Sequence, residues 1–311
     1  MNSLNRMATE IADEAIDFAE ELGIEAYDLE NSGRVLDFGV EVPGGIEAGL
    51  LCTELQTAGL ATVSTRMNDL AGAPMPQVEL TSDRPALALL GAQKAGWELS
   101  VGAFEGLGSG PARALVGGEE VFERIGYRDS FDFAVLTTEA DQLPDEQVVE
   151  RIAEVAGVSP EGVLVCGFAT GSPVGSVTVG SRAAELAMFR LAELGYDPLQ
   201  VRSVSGDAPL APISHDEGVA IGRTNDALVY GGRVHLVVEE GFEDFEEVPS
   251  TAANDYGRPS ADVFEEVGWE FADVPEGFFA PAQVTIDVID GPTGVYGETD
   301  EDVLAESFGI A

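Results

Sequence analysis

The sequence predicts an α/β fold of the α+β type, with two domains, a cleft between them, and mixed sheets packed by helices. Helical and strand-like hydrophobic patterns alternate along the chain. Hydrophobic residues make up 45% of the 311 residues, which is ample for a core. Because the length exceeds the usual size of a single core, two domains are expected.

Most elements follow from hydrophobic periodicity. Apolar side chains at helical spacing predict a helix over residues 8–22, which Gly23 ends. Further helices are expected from Pro144 to about residue 155 and over residues 182–194, before Gly195. Short apolar runs predict strands at 34–38, 77–81, 131–137, 163–168, 201–204, 234–238, 282–289 and 295–297.

The domain boundary is expected near residues 125–130. The first α/β domain is then 1–127, and the second is 128–244, which carries the 182–194 helix. Residues 245–311 are expected to pack back on the first domain, although periodicity does not assign their strands to a sheet.

The charge balance is strongly acidic. There are 57 Asp and Glu against 15 Lys and Arg, a formal charge of −42, and Lys94 is the only lysine. Such a surface repels itself at ordinary ionic strength, whereas molar salt shortens the Debye length to about 3 Å. We therefore expect a halophile origin. With so few basic residues, phosphate-mediated binding of nucleic acid and attraction to anionic membranes are excluded.

The expected location is the cytoplasm. Residues 1–23 form an acidic amphipathic pattern without the basic and long apolar regions of a signal peptide. No stretch approaches 18 uncharged apolar residues, so no membrane span is predicted. Cys52 and Cys166 are far apart among apolar neighbours and are expected to be buried free thiols.

Several chemistries lack their motifs in this sequence. The histidines are His215 and His235, and there is no Cys-x-x-Cys pair, so the zinc-deaminase signature is missing. A Gly-x-Ser-x-Gly elbow and a Walker loop are also missing. The segment 214–217 around His215 could offer metal ligands, but a polar turn is favoured. No metal site is predicted, so the chemistry falls to carboxylates, guanidinium groups, backbone amides and one ammonium.

Arg182 and Glu185 are the first candidates for that chemistry. They lie three residues apart in the first turn of the expected 182–194 helix, near the positive end of its dipole. Leu186 and Phe189 share their face, which on so acidic a protein indicates an interface or a cleft. A surface ion pair of little energetic consequence is the alternative.

Two further segments could contact a ligand. The segment 91–97 contains Lys94, and an ammonium retained in so lysine-poor a chain suits a carboxylate or phosphate. In segment 107–113 the glycines allow close backbone approach, the amides can form an anion nest, and Arg113 supplies a fork. A chance survivor and a bare structural turn are the respective alternatives. The segments 208–214, 224–227 and 230–232 predict a polar loop that enters a strand, which by itself is weaker evidence of a binding site.

Taken in order along the chain, these segments resemble archaeal methenyltetrahydromethanopterin cyclohydrolases. The resemblance covers essentially the full chain, and chance does not account for nearly a dozen strings in the right order. The matching strings are VPG at 42–44, EAG at 47–49, QKAGW at 93–97, GSGPARAL at 108–115, LPDE at 143–146, VGSV at 174–177, API at 211–213, TND at 224–226, YGG at 230–232, DYG at 255–257 and FAP at 279–281.

The resemblance implies a metal-free hydrolase without a cofactor, built from two α/β domains around a deep cleft and assembled as a homotrimer. Its substrate is a small-molecule pterin, methenyl-tetrahydromethanopterin, whose cyclic N5,N10-methenyl bridge it opens to the N5-formyl product. The family's catalytic arginine and glutamate share one helix and correspond to Arg182 and Glu185. Substrate-binding roles are expected, on the matching strings, for Gln93, Lys94, Ser109, Gly110, Arg113, Asn225 and Asp226.

This chemistry suits the residues. The methenyl carbon is a cationic amidinium and is electrophilic without a metal. Glu185 is expected to bind the cation, to act as general base on a water, and to pass the proton to the leaving nitrogen. Arg182 is expected to hold Glu185 in place and to keep it ionised against desolvation.

Three alternatives stay open. The pterin ring and methenyl carbon are also found in methenyl-tetrahydrofolate, and the scarcity of lysine leaves the contacts to an acidic substrate tail open. A catalytically silent pterin-binding protein is the second alternative. The third is an acidic structural protein that assembles through the face of Leu186 and Phe189.

Overall fold

The computed structural model describes residues 3–270, 273–275 and 277–310. Within these ranges the chain forms two six-stranded mixed sheets packed by helices, which confirms the predicted α/β class with mixed sheets. The chain divides into two compact units. Unit 1 is Met1–Thr62 with Ala86–Thr178, and unit 2 is Val63–Pro85 with Val179–Ala311.

The elements are numbered in chain order. The strands are β1 Glu25–Asp28, β2 Arg34–Gly39, β3 Thr62–Leu70, β4 Ala73–Ser82, β5 Ala95–Val101, β6 Phe104–Ser109, β7 Ala134–Glu139, β8 Val163–Phe168, β9 Val201–Pro209, β10 Arg233–Val238, β11 Gln283–Val288 and β12 Thr293–Gly297. The helices are α1 Leu4–Asp17, α2 Ala19–Leu22, α3 Ile46–Gln56, α4 Ala112–Val116, α5 Glu120–Ile125, α6 Glu146–Ala156, α7 Pro173–Gly180, α8 Ala183–Glu193, α9 Glu217–Val229, α10 Ser260–Glu266 and α11 Glu301–Phe308. A π-helical segment, Ala86–Gln93, precedes β5.

The sheet of unit 1 has the order β1-β2-β8-β7-β6-β5. Strands β2, β8 and β7 are parallel, and the outer pairs are antiparallel. Every residue of β8 is buried, because a central parallel strand is covered on both faces; this explains its continuous apolar run. Helix α6 follows β7 and packs on this sheet, and the side chain of Asp145 caps it by accepting the N–H groups of Gln147 and Val148.

A buried carboxylate shapes the loop after β2. Asp37 accepts hydrogen bonds from the backbone N–H groups of Gly39 and Val40 at 2.9 and 2.7 Å, and from those of Glu41 and Val42 at 2.9 and 3.1 Å. Four donors on one carboxylate compensate the cost of burying its charge. The conformation of the loop that leads into the VPG string is therefore set by this one side chain.

The sheet of unit 2 has the order β12-β11-β10-β9-β4-β3. Strands β10 and β11 are parallel, while β4–β9, β9–β10 and β11–β12 are antiparallel pairs. Helix α8 packs on β9 and β10, and α10 and α11 pack on α9. A second core forms here around Tyr230, Phe264 and Phe278.

This division differs from the domain boundaries expected from the sequence. Strand β4, inside the expected first domain, pairs with β9 from Gln77 opposite Pro209 to Ser82 opposite Val204. The hairpin of β3 and β4 therefore belongs to the sheet of unit 2. Strands β11 and β12, inside the segment 245–311, join that same sheet through β10. Periodicity identifies a strand but not its partner, because pairing depends on contacts distant in sequence.

Smaller differences concern individual elements. The expected helix 8–22 begins earlier and is interrupted at Phe18, which separates α1 from α2; Gly23 ends it with φ of 67°. The strand expected at 131–137 is displaced to β7. Cys52 and Cys166 are buried free thiols as predicted, and burial raises the pKa of Cys166. In the described ranges, no helix combines the length and apolar character that crossing a bilayer requires.

Candidate active site

Close packing fixes the N-terminal end of α8. Gly206 on β9 faces Ala184 in the first turn of the helix, and a Cβ on Gly206 would lie 2.9 Å from the backbone nitrogen of Ala184. Only glycine permits this approach of helix to strand. Helical spacing predicts a core stripe of five residues on this helix. Four of them, Ala184, Ala187, Met188 and Leu191, are fully buried, while Leu194 near the end of the helix is half-buried. The first turn of α8 is therefore a rigid platform.

Arg182 and Glu185 form a buried ion pair on that platform. Arg182 caps the helix start through its backbone, and Glu185 lies in the first turn. Arg182 Nη1 donates to Glu185 Oε2 at 3.2 Å, and the two side chains are only 8% and 4% exposed. The alternative of a solvated surface pair is therefore wrong. Leu186 and Phe189, on the same face, are half-buried.

The chemical meaning of this pair follows from its burial. Taking two charges out of water is costly, and an ion pair seldom repays that cost as stability alone. The helix dipole adds favourable positive potential at the Glu185 carboxylate. A carboxylate held in a desolvated site by a guanidinium is an arrangement suited to a general base or to a counter-ion for a cationic ligand.

A second group of predicted residues converges in unit 1. Gly110, whose φ of 118° favours glycine, donates its N–H to Ala92 O at 3.0 Å. Arg113 Nη1 also reaches Ala92 O, at 3.3 Å. The end of the π-helical segment, which carries the buried Gln93, is thereby joined to the glycine-rich turn after β6.

Ser109 belongs to a buried chain of polar side chains. Its hydroxyl lies 2.9 Å from Thr137 Oγ1 on β7, which in turn accepts a hydrogen bond from Gln56 Nε2 at 2.9 Å. All three residues are essentially without solvent exposure. These bonds hold the turn against α3 and β7, and they give Ser109 a structural function in addition to any contact with a ligand.

Lys94 and Arg113 meet on a residue that the sequence did not single out, Glu119. The Lys94 ammonium lies 3.2 Å from Glu119 Oε2, and Arg113 Nε and Nη2 donate to the same carboxylate at 2.9 and 2.7 Å. The Arg113 guanidinium also lies over the ring of Phe122, 5.5 Å from its centroid. Both predicted cations of unit 1 therefore share one anion.

Glu119 is ionised in this site. Desolvation acts to raise the pKa of the Glu119 carboxyl, but the hydrogen bond and charge of Arg113, together with Lys94, outweigh it and hold the pKa below its usual value. Sequence reasoning missed Glu119 because it is one of 57 acidic residues, in the run Gly117-Gly-Glu-Glu120, and no local pattern marks it.

Asn225 and Asp226 lie on α9 rather than in the loop expected from the sequence. Asn225 Nδ2 donates to Ile221 O on the same helix. Asp226 is buried, and its carboxylate accepts from the Ser260 N–H at 2.7 Å and the Ser307 hydroxyl at 2.6 Å. These bonds join α9 to α10 and α11, so the structure gives Asp226 a packing role; contact with a substrate stays a prediction.

Asp226 also supplies a prediction on pH dependence. Desolvation raises the pKa of this carboxyl, against the hydrogen bonds from Ser260 and Ser307. Its contribution to stability is therefore greatest below about pH 4, the usual value for Asp, and declines as pH rises through the higher folded-state pKa. The side chain in Asp226→Asn is uncharged at every pH. Its amide oxygen can still accept from the Ser260 N–H, and its amide nitrogen can donate to the Ser307 hydroxyl, which donates in the wild type. The stability of this variant relative to wild type should rise between pH 4 and pH 7, as measured by chemical denaturation. A difference that falls with pH would contradict this account.

The histidines occupy unremarkable positions. His215 lies in a turn where the Ser214 hydroxyl accepts from the Asp216 N–H, and Asp216 caps α9, so the polar-turn interpretation of segment 214–217 holds. His235 lies exposed on β10. Across the described part of the chain, no group of three or more His, Cys, Asp and Glu side chains is arranged to hold a metal ion.

The predicted site residues thus form three groups. Gln93, Lys94, Ser109, Gly110 and Arg113 converge in unit 1. In unit 2, Arg182 and Glu185 form the buried pair at the start of α8, while Asn225 and Asp226 lie on α9.

Comparison with known families identifies the class of protein. The model of the family described as Cyclohydrolase (MCH) matches residues 3–308, nearly the whole chain. The chain therefore belongs to this cyclohydrolase family and is an enzyme of that class. The resemblance drawn from the sequence is confirmed.

Several full-length relatives within this family are similar to the chain. A Halobacterium salinarum protein named methenyltetrahydromethanopterin cyclohydrolase is 55% identical over 311 residues, covering 100% of both chains. Proteins of the same name from Methanocella arvoryzae and Methanothermobacter marburgensis are each 43% identical, covering 100% of this chain and 99% and 100% of theirs. The Halobacterium relative fits the halophile origin expected from the charge.

Proposed function

We propose that this enzyme hydrolyses the cationic N5,N10-methenyl bridge of methenyl-tetrahydromethanopterin to the N5-formyl product, without a metal ion or other cofactor. The observation that carries the proposal is the buried Arg182–Glu185 pair at the start of α8. The names of the full-length relatives support the choice of substrate.

The proposed reaction uses Glu185 twice. A water oxygen attacks the methenyl carbon while the Glu185 carboxylate takes one proton from that water, which forms a neutral tetrahedral adduct. The carbon–N10 bond then breaks, N10 receives the proton from Glu185, and the adduct hydroxyl becomes the formyl oxygen as its proton leaves to solvent. One water is consumed and one proton is released. Glu185 ends as the carboxylate from which it began.

Arg182 is proposed as the residue that keeps this carboxylate in position. Its guanidinium is permanently charged, and it lies in contact with Glu185 in the buried site. A salt bridge of this kind favours the ionised form of a carboxylate against the effect of desolvation. Lys94 and the glycine-rich turn that ends at Arg113 are proposed to bind the substrate, with Asn225 and Asp226 as weaker candidates.

A chromophore assay tests the proposal. Loss of methenyl absorbance is followed in molar KCl with methenyl-tetrahydromethanopterin and methenyl-tetrahydrofolate side by side, with uncatalysed hydrolysis measured in the presence of Glu185→Gln. We expect turnover of the methanopterin derivative above that control. Turnover of the folate derivative alone would identify tetrahydrofolate, in place of tetrahydromethanopterin, as the one-carbon carrier. Saturable binding without turnover of either compound would identify a silent pterin-binding protein instead.

We also propose that the enzyme is cytoplasmic and assembles as a homotrimer. The resemblance to the family supports both proposals, and neither is based on a feature of the structure. Sedimentation in molar KCl should give a mass of about three times 32.6 kDa. A monomer at micromolar concentration would overturn the assembly.

A further inference from the structure

Glu119 is the carboxylate that Lys94 and Arg113 share. Arg113 is almost completely buried, with 1% of its side chain exposed, while Lys94 is 14% and Glu119 35% exposed. The carboxylate therefore joins a fully desolvated guanidinium to an ammonium that retains some access to solvent. Its attachment to Arg113 is bidentate, which fixes the orientation of both oxygens.

The ammonium needs such an anchor. Lysine is a point charge at the end of a flexible four-carbon stem, and its rotamers scatter the charge unless a fixed partner holds it. Lys94 Nζ donates to Ala95 O at 3.0 Å and to Glu119 Oε2 at 3.2 Å. Ala95 is its chain neighbour, whereas Glu119 lies 25 positions away and ties the ammonium to a distant part of unit 1.

The charge balance of the cluster supports the same conclusion. The three side chains together carry a formal charge of +1, in a chain whose formal charge is −42. A carboxylate placed only to neutralise Arg113 would not have to lie within reach of Lys94. Here its Oε2 serves both cations.

We propose that Glu119 is a positioning residue, which holds the Lys94 ammonium at the point where it contacts the substrate by tethering it to the buried Arg113. This rests on the proposed function, in which Lys94 binds substrate. The inference adds a residue 25 positions further along the chain whose effect is exerted through Lys94.

The test is a double-mutant cycle with a matched control. The variants are Glu119→Gln, Lys94→Met and the double variant. The control is Glu120→Gln, at the position next to Glu119, which removes an exposed carboxylate that pairs with Arg124. KM and kcat are measured for each, and the dissociation constant of the methenyl substrate is measured in the Glu185→Gln background. Thermal midpoints report on folding.

Glu119→Gln should raise the dissociation constant by about tenfold and change the same kinetic parameter as Lys94→Met. In the double variant, Glu119→Gln should add little to the effect that Lys94→Met has by itself. Glu120→Gln should match wild type. Glu119→Asp, which keeps a charge beside Arg113 but shortens the reach to Lys94, should fold like wild type and still weaken binding.

Other outcomes overturn the inference. If Glu119→Gln binds substrate like Glu120→Gln, or binds it more tightly because the cluster gains positive charge, Glu119 does not position Lys94. Independent, multiplicative effects of Glu119→Gln and Lys94→Met lead to the same conclusion. The turnover of the wild type separates this result from failure of the proposed function. If the wild type is active and Glu119→Gln binds substrate normally, only the positioning role of Glu119 is refuted. If wild type neither binds nor converts the pterins, both proposals fall.

Discussion

Glu185→Gln is expected to fold and to lose about 10²- to 10⁴-fold in kcat, the range that a general base contributes. The amide preserves the shape of the side chain and can still accept a hydrogen bond from Arg182, which lies 3.2 Å from Glu185 Oε2. It cannot accept a proton from water at neutral pH. Single-turnover and steady-state rates measured with the methenyl chromophore would quantify the loss.

The same helix provides the control for this variant. Glu193 lies at the opposite end of α8, is 44% exposed, and pairs with Arg190 at 3.5 Å with the same spacing of three residues. Glu193→Gln should therefore leave kcat unchanged. A Glu185→Gln enzyme with near-wild-type turnover would remove Glu185 from the mechanism, whatever the behaviour of the control.

Arg182→Met is expected to lower both stability and activity. Removing one partner of a buried ion pair leaves the other charge uncompensated and costs about 3–5 kcal/mol. Because Glu185 would also lose the guanidinium that holds its carboxylate in position, kcat should fall as well. Chemical denaturation in molar KCl and steady-state rates with the methenyl chromophore would measure the two effects.

Burial decides how much stability is lost when one partner of an ion pair is removed. An exposed ion pair elsewhere in the chain provides the control for this effect. Arg151 and Glu154 on α6 are also three residues apart and lie 3.0 Å from each other, but they are 54% and 75% exposed. Arg151→Met should cost at most about 1 kcal/mol, as is usual for surface pairs. Equal losses from Arg182→Met and Arg151→Met would contradict the assignment of Arg182–Glu185 as a buried pair.

Local patterns in the sequence were sufficient for the elements that frame the site. The apolar run of β8, the helix predicted from Pro144 and the helical spacing of Arg182 and Glu185 all depend on residues within a few positions of one another. Such features follow from helix geometry and from the burial of a central strand. The string matches along the chain predicted the family, which the comparison confirmed.

Partners far apart in sequence were decided only by the tertiary structure. The pairing of β4 with β9 joins residues more than a hundred positions apart, which is why the predicted domain boundaries differ from the two compact units. Glu119 was missed because one acid among 57 carries no local signal until folding brings it to Lys94 and Arg113.

The Arg182–Glu185 pair depends both on local sequence and on tertiary structure. Its spacing, and therefore the contact between the two side chains, was determined by the sequence through the pitch of a helix. Whether that contact was an inconsequential surface pair or a desolvated site depended on the close packing of α8 against Gly206 and on the covering of both side chains. Burial is a property of the whole fold, because neighbours from distant segments must displace the water.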